Sequence, residues 1–318
     1  YCHAELKCKA ANEPCQVVVC EDKKVFTYTG TVQDYSVPTD VKKIEIKAWG
    51  AGGGGTVHTS SLGGVGAYAF TSLTVNPWEN YKVVVWEGGK GSVTIGTFGG
   101  GGAGGLGYFS WGAGGGLSGI FKNAFTQSNA LLVAGGGGGS SGSCGHTCLG
   151  GNGGGPNGGN GMSIWDAGGI FYPWAGGGGG LLSRAGYGGS VPESDKNGNN
   201  GAALQWGIGW WTPWYTQFGF GAGGGGGGGF FGGGGGSGDT TPNHYSTNYT
   251  NDATGWGGSS SCPEINASGD CVVQAGVGST VPKNTDADYK TWVGAAGMYS
   301  VAGGNGLVVI TECRPKVT

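Results

Sequence analysis

The chain has 318 residues, of which 80 are glycine, and only 11% of its side chains are charged, with a formal net charge of −3. The glycine runs break any Gly-X-Y register and only 11 prolines are present, which excludes collagen. Lysine and arginine form no cluster and no apolar run approaches 18 residues, which disfavours a nucleic-acid surface and a membrane span. Simple disorder also fits poorly, because disordered chains are poor in aromatic residues and 11% of this chain is aromatic.

Residues 1–24 are dense in cysteine and too few to bury a core. We predict that they form a disulfide-stapled N-terminal arm or cap, followed by one domain over residues 25–318. The sequence starts at Tyr1 without methionine, as a fragment boundary or a processed secreted protein would. The second interpretation is favoured because the cysteines and glycosylation signals agree with it.

Short strands are predicted after the arm. In segment 41–49, Ile44 and Ile46 alternate with charged residues, and this period of two is typical of a strand with one buried face. Helical periodicity is almost absent, with at most a turn or two around residues 119–127. Strand-forming segments bracket the glycine-rich block, which indicates that the first and last strands lie near each other in a sandwich. The predicted strands are 25–28, 32–37, 41–49, 67–75, 81–86, 130–133 and 307–311.

Residues 50–238 hold 68 of the 80 glycines, in tracts separated by apolar or aromatic residues. A flexible linker would not repeatedly insert tryptophan and phenylalanine. We expect each long tract to adopt an extended helix of polyproline II type, with three residues per turn and backbone groups that pair with neighbouring tracts. Because ordering glycine is entropically expensive, several tracts must pack together with aromatic rings at their ends. The tracts are 50–55, 99–107, 112–116, 135–139, 150–161, 176–180 and 219–238.

The nine cysteines include no Cys-x-x-Cys pair, and only four histidines are present, so a structural zinc site has weak support. Cys144 and Cys148 have the spacing of a metal knuckle, but a short disulfide loop is favoured because no further Cys/His pair is near. Cys262 and Cys271 bracket a turn-rich segment and are predicted to pair locally. Five cysteines cannot all pair among themselves, so one is free, bonds to another subunit or pairs outside this sequence. These five are Cys2, Cys8, Cys15, Cys20 and Cys313.

Two glycosylation signals, at Asn248 and Asn266, lie in polar stretches outside the glycine-rich block. Together with the cysteines they favour an oxidising, extracellular, eukaryotic setting.

An aromatic cluster follows residue 205. Its rings are predicted to cap the glycine tracts or to fill a subunit interface. The alternative is a platform on which sugars or another flat ligand stack. The cluster comprises Trp206, Trp210, Trp211, Trp214 and Tyr215.

Catalytic motifs are not recognisable. Segment 88–92 lacks the Gly-Lys-Ser/Thr sequence of a phosphate loop, and other glycine-rich matches arise from the abundance of glycine. No histidine lies beside a nucleophile and a carboxylate in sequence. We therefore expect no enzyme activity, cofactor or metal.

The blocks Phe-Thr-Tyr-Thr-Gly at 26–30, Val-Lys-Lys-Ile-Glu-Ile-Lys-Ala-Trp at 41–49, Ala-Leu-Leu-Val-Ala and five glycines at 130–139, and Gly-Leu-Val-Val-Ile at 306–310 resemble the extracellular glycine-rich domain family. This family occurs in secreted proteins and in the ectodomain of anaplastic lymphoma kinase. The resemblance covers about residues 25–312 and implies an all-β, jelly-roll-like sandwich with an inserted bundle of polyglycine or polyproline II helices. It transfers no function, because members serve as modules in receptors, adhesins and matrix proteins.

Low charge, an unpaired cysteine and abundant aromatic residues favour a secreted structural protein that self-associates as the repeating subunit of an extracellular filament or matrix. The rival hypothesis is a binding module, either a glycan-directed adhesin or part of a receptor ectodomain. Nucleic acid is not an expected partner.

Overall fold

The computed structural model describes residues 5–7, 16–56, 61–91, 101–105, 111–141, 148–162, 164–165, 171–172, 177–190, 197–205, 207–209, 223–238, 253–263 and 270–317. Regular secondary structure in these ranges is strand, apart from one 3₁₀ turn at Gln127–Asn129. The strands are β1 (Glu5–Lys7), β2 (Gln16–Phe26), β3 (Gln33–Ser36), β4 (Lys43–Trp49), β5 (Tyr68–Thr74), β6 (Asn80–Val85), β7 (Ser118–Lys122), β8 (Ala130–Ala134), β9 (Ile164–Trp165), β10 (Phe171–Tyr172), β11 (Val272–Gln274) and β12 (Leu307–Val317). No helix within the described ranges could span a membrane.

Two antiparallel sheets make up the sandwich-like core. The first has the strand order β1-β2-β12-β4-β5-β11 and the second β3-β6-β7-β8, while β9 and β10 form a separate pair. The C-terminal strand β12 lies between β2 and β4, which confirms that the first and last strands are neighbours. The predicted all-β class is confirmed. The predicted strands at 41–49, 67–75, 81–86, 130–133 and 307–311 correspond to β4, β5, β6, β8 and β12.

Of the turn or two of helix that the sequence allowed around residues 119–127, the described residues contain a single 3₁₀ turn at Gln127–Asn129. Ser118–Lys122 is strand β7, between β6 and β8 in the second sheet. Ile120 faces the core between the sheets, and Phe121 faces a second apolar cluster behind the sheet. A strand that is covered on both faces does not alternate in hydrophobicity, which is why its sequence shows no period of two.

Strand β2 crosses the predicted boundary between the arm and the domain. Its ladder with β12 runs from the pair Gln16 and Val317 to the pair Phe26 and Val308. Residues 16–24 therefore belong to the first sheet, and the boundary between residues 24 and 25 needs correction. The rest of the arm, apart from β1, lies outside the described residues.

The main core lies between the two sheets. Ile44 and Ile46 on β4 are fully buried, as their alternation predicts, and they share this cluster with Ile310 on β12. The second sheet contributes Val83 and Leu132 to the same cluster. Burying a side chain of this size contributes about 1.5–3 kcal/mol to folding, which makes the core the main stabilising feature of the sandwich.

Part of the outer face of the first sheet, around Trp49, is buried by residues 277–293, which we call the covering segment. Trp49 is fully buried in this layer and donates its indole N–H to the carbonyl of Pro282 at 3.1 Å. The ring of Tyr289 packs against Trp49 with centroids 6.1 Å apart. Around Trp49, the first sheet is therefore covered by apolar contacts on its outer face as well as on its core face.

Candidate functional site

The glycine tracts continue the strands of the sandwich. Residues 50–56 follow β4 directly, and residues 135–141 follow β8. Residues 61–67 and 111–117 lead into β5 and β7. We call the set of packed tracts the glycine bundle; it comprises residues 50–56, 61–67, 111–117, 135–141, 148–155, 223–238, 253–260 and 294–306.

Backbone hydrogen bonds in tract 50–56 repeat every three residues. Three consecutive amides donate to three different neighbouring segments. The next amide along the chain donates again to the segment that accepts from the first. Donor and acceptor are 2.8–3.2 Å apart in these bonds, within the usual range for N–H···O bonds. The pairs are Gly50 to Ala67 and Gly53 to Gly64, Ala51 to Gly116 and Gly54 to Ala113, and Gly52 to Gly304 and Gly55 to Val301.

The carbonyl groups of the same tract accept from three further segments. Gly137 and Ser140 donate to Ala51 and Gly54, so tract 135–141 also contacts tract 50–56 at an interval of three residues. Gly89 donates to Gly52. Gly297, in the arm of tract 294–306 that precedes its turn at 298–301, donates to Gly53, and Ser300 in that turn donates to Thr56. When the two arms of the hairpin 294–306 are counted separately, tract 50–56 is bonded to six described segments, whereas a strand in a sheet has at most two bonded neighbours.

Tract 135–141 repeats this arrangement. Its amides donate to tracts 223–229, 50–56 and 148–155, and its carbonyls accept from tracts 61–67, 111–117 and 253–260. The bonds within this set include Gly136 to Gly228, Gly139 to Gly225, Gly138 to Gly151, Gly64 to Gly138, Gly115 to Gly137 and Gly258 to Gly136.

Most positions in the bundle have no room for a side chain. A Cβ atom added to Gly53, Gly137 or Gly225 would lie under 3.0 Å from a backbone carbonyl oxygen of a neighbouring tract. Glycine is therefore required by backbone-to-backbone packing at these positions, and the bonds between tracts form because the chains approach so closely. Gly155 differs, since its added Cβ would meet no atom closer than 3.5 Å.

Aromatic and aliphatic side chains join the bundle to the sandwich. Phe230 and Leu204 pack against the outer face of the second sheet, in the cluster that contains Phe121. Phe230 and Phe231 are half-buried and pack edge to face with centroids 5.4 Å apart. The two rings lie at the bend between tracts 223–229 and 232–238. Aromatic rings at the ends of the glycine tracts are what the sequence predicted.

Both cysteines lie within the described residues for two disulfides. Cys262 and Cys271 are bonded, which confirms the predicted local pair. Cys20 is bonded to Cys313, its partner across strands β2 and β12, a pairing that the sequence left open. Cys148 is also disulfide-bonded. Its predicted partner Cys144, like Cys2, Cys8 and Cys15, lies outside the described residues.

Cys20 and Cys313 also lie close to the carboxylate of Glu45, in a triad whose spacing would suit a metal. The disulfide consumes both thiolates, and neutral disulfide sulfurs are poor ligands. We therefore interpret this group as a disulfide cross-link next to the carboxylate of Glu45, and not as a metal site.

A buried carboxylate lies next to this disulfide. Glu312 is 1% exposed, and it accepts hydrogen bonds from the Tyr35 hydroxyl at 3.1 Å and from Arg314 Nη2 at 2.6 Å. Arg314 also donates to Asp22 and Asp40, each at 2.5 Å. Burial, together with the charge of Glu312, raises the pKa of Tyr35, whereas the hydrogen bond from Arg314 lowers the pKa of Asp40.

A second ionic cluster ties the covering segment to the first sheet. Lys47 donates to Asp286 and Asp288 at 2.8 Å each, and Lys23 donates to Asp288 at 2.5 Å. Burial acts against the charge of Lys47, but the two carboxylates outweigh it and raise the pKa of Lys47. Burial also opposes the charge of Asp288, and the two lysines outweigh it and lower the pKa of that carboxyl.

The remaining predicted site residues lie outside the described residues. These are the glycosylation candidates Asn248 and Asn266 and the aromatic cluster Trp206, Trp210, Trp211, Trp214 and Tyr215.

Comparison with protein-family models and with curated protein sequences finds no match to this chain. The resemblance to the extracellular glycine-rich domain family therefore stays a prediction.

Proposed function

We propose that the protein is a secreted structural protein, the repeating subunit of an extracellular filament or matrix, and that the glycine bundle is its rigid element. The observation that carries this proposal is the bonding of tracts 50–56 and 135–141 to six neighbours each. A sheet is cross-linked in one lateral direction, whereas such a bundle is cross-linked in all of them. A block of this kind resists bending and shear, which suits a load-bearing subunit.

We infer that the tracts are polyglycine II helices, the glycine counterpart of polyproline II. Three residues per turn would produce the observed return of hydrogen bonds to the same neighbour at every third residue. Among the described glycines only Gly30, Gly177, Gly278 and Gly294 have positive φ, so the remaining glycines are compatible with the negative φ of a left-handed helix.

The chemistry of the cysteines supports the proposed extracellular location. The Cys20–Cys313 and Cys262–Cys271 disulfides persist in oxidising compartments, where secreted proteins reside. Glycosylation at Asn248 and Asn266 would accord with this location. A jelly-roll-like sandwich of the extracellular glycine-rich type would accord with it too, since members of that family occur in secreted proteins and in receptor ectodomains.

Electron microscopy of native material, combined with size-exclusion chromatography, tests the proposal. Filaments or concentration-dependent polymers of this chain would support a structural subunit. Discrete monomers at all concentrations would contradict it and would favour a binding module that acts through its aromatic cluster.

A further inference from the structure

We propose that the protein cross-links itself through an amide bond between Nζ of Lys47 and Cγ of Asp286, with Asp288 as the group that carries the proton. The bond forms after folding and joins strand β4 to the covering segment. It does not depend on the proposed filament function, because all three residues belong to one chain and contact one another within it.

Lys47 and Asp286 are held in position for this reaction. Nζ of Lys47 is 2.8 Å from one carboxylate oxygen of Asp286 and 2.9 Å from the other. An atom this close to both oxygens is roughly 3 Å from the carbon between them, which is the separation of reacting atoms in a near-attack arrangement. The nucleophile and the carboxyl carbon therefore need no large movement to react.

The backbone supports one oxygen of the Asp286 carboxylate. The amide of Asp288 donates to Oδ1 of Asp286 at 2.9 Å. A fixed N–H group at this position stabilises the negative charge that Oδ1 carries when the amine adds to Cγ. The other oxygen, Oδ2, contacts Nζ of Lys47 and is the oxygen that leaves as water.

Asp288 is placed to carry a proton from the amine to the leaving oxygen. Its Oδ2 is 2.8 Å from Nζ of Lys47, and Lys23 holds its Oδ1 at 2.5 Å. Asp288 accepts one proton from the ammonium, and the neutral amine then attacks Cγ of Asp286. As the C–N bond forms and the Cγ–Oδ2 bond breaks, Oδ2 takes the proton from Asp288 and a second one from the nitrogen. An ammonium and a carboxylate thus become an amide and one water molecule, with no oxidant or other reagent.

The surroundings of Lys47 favour the loss of charge. The residues paired with Lys47 on the two adjacent strands are apolar, Val309 on β12 and Phe70 on β5. The side chains of Asp286 and Asp288 are only 18% and 9% exposed. Charges that have lost much of their water are costly, and the amide replaces two of them by a neutral group. Fixed reactants also act as if at about 10⁵–10⁸ M, which favours an amide that water would otherwise hydrolyse.

The reaction is expected to be slow at neutral pH. Although burial opposes both charges, the two carboxylates raise the pKa of Lys47 and the two lysines lower the pKa of Asp288. Both groups are therefore ionised, and the neutral amine that attacks is scarce. A freshly folded chain holds the ion pair, and the amide accumulates with time.

Peptide mass spectrometry of the native chain tests the cross-link. The freshly purified chain is sampled over one week at neutral pH, then unfolded, reduced and digested with trypsin. We expect a peptide that contains Lys47 to be joined to the peptide 284–290 with the loss of one water molecule, in an amount that rises with time. The pair of Lys82 and Asp34 is the internal control, because Asp34 is 70% exposed and Lys82 contacts only one of its oxygens. This pair should remain unjoined in the same digest.

Two variants assign the roles. Lys47→Arg keeps the positive charge but removes the amine, so its digest should lack the joined peptides. Asp288→Asn keeps the shape of the side chain but cannot accept the proton, and it should slow the joining by roughly a hundredfold.

Three results count against the proposal. Absence of joined peptides from the native chain after one week overturns the cross-link. A loss of water confined to the peptide 284–290 is a succinimide at Asp286 and overturns it as well. Joining that is equally fast in Asp288→Asn overturns the role of Asp288 as the proton carrier.

Discussion

The amide of Gly225 donates to the carbonyl of Gly112 at 3.1 Å, although 113 residues separate the two. Gly225 lies so deep in the bundle that an added Cβ would lie under 3.0 Å from the carbonyl oxygen of Gly102 in a third segment. The bundle is therefore held by long-range backbone contacts that only glycine permits.

Gly225→Val is expected to lower the free energy of unfolding by about 3 kcal/mol or to prevent folding, because a rigid neighbouring backbone must move. Gly155→Ala is the control, since the nearest atom to its added Cβ is 3.5 Å away and its change should be within about 1 kcal/mol of zero. Thermal unfolding followed by circular dichroism compares the two. Equal melting temperatures for Gly225→Val and the native chain would show that this tract is loosely packed.

The two defined disulfides should contribute unequally. Cys20 and Cys313 are 293 residues apart and Cys262 and Cys271 only 9, so the first restricts the unfolded chain far more. The chain-entropy relation gives about 3 kcal/mol more stabilisation for the longer loop. Urea denaturation of the Cys20→Ala/Cys313→Ala and Cys262→Ala/Cys271→Ala variants measures this. An equal loss in both would contradict the chain-entropy account.

Stability should fall at both pH extremes through the cluster of Lys47 and Asp288. The pKa of Asp288 is lower in the folded chain, so its contribution is complete above its unfolded pKa and is lost as pH falls through the folded one. The pKa of Lys47 is raised, so its contribution is complete below its unfolded pKa and is lost as pH rises through the folded one. Asp288→Asn should lower the free energy of unfolding by roughly 1 kcal/mol at pH 7. It should also reduce the loss of stability that occurs as the pH falls below neutral. If the variant loses stability at acid pH as steeply as the native chain, other carboxylates determine the acid sensitivity.

Removing the cation from the buried carboxylate should cost more than removing both charges. Arg314→Met leaves Glu312 buried with only the Tyr35 hydroxyl as a defined side-chain donor, and breaking a buried pair costs up to about 3–5 kcal/mol. Because Arg314 is partly exposed, the expected loss lies at the lower end of that range. Adding Glu312→Gln should recover part of the loss in urea denaturation. If the double variant Arg314→Met/Glu312→Gln has a lower free energy of unfolding than Arg314→Met alone, the unpaired buried charge is not the cause of the loss.

The sequence predicts the sandwich strands well wherever one face is buried and the other polar, as in β4 with Ile44 and Ile46. It fails for β7, which is buried on both faces, and for β11, which has only three residues. Glycine abundance and the lack of charge predict packed tracts, but not which tracts are neighbours, because glycine carries no side chain to encode a partner. The Cys20–Cys313 pair depends on the register of β2 with β12, which local patterns do not contain.

Hydrogen exchange of amides 136–140, measured by NMR or mass spectrometry on the native chain, tests the central claim most directly. Each of these amides donates to a backbone carbonyl of another tract at 2.7–3.1 Å. We expect them to exchange at least roughly a thousandfold more slowly than a free chain and about as slowly as those of β8, because exchange would require opening of the bundle. Exchange at the rate of an unstructured glycine peptide would contradict the hydrogen-bonded bundle and the structural function proposed for it.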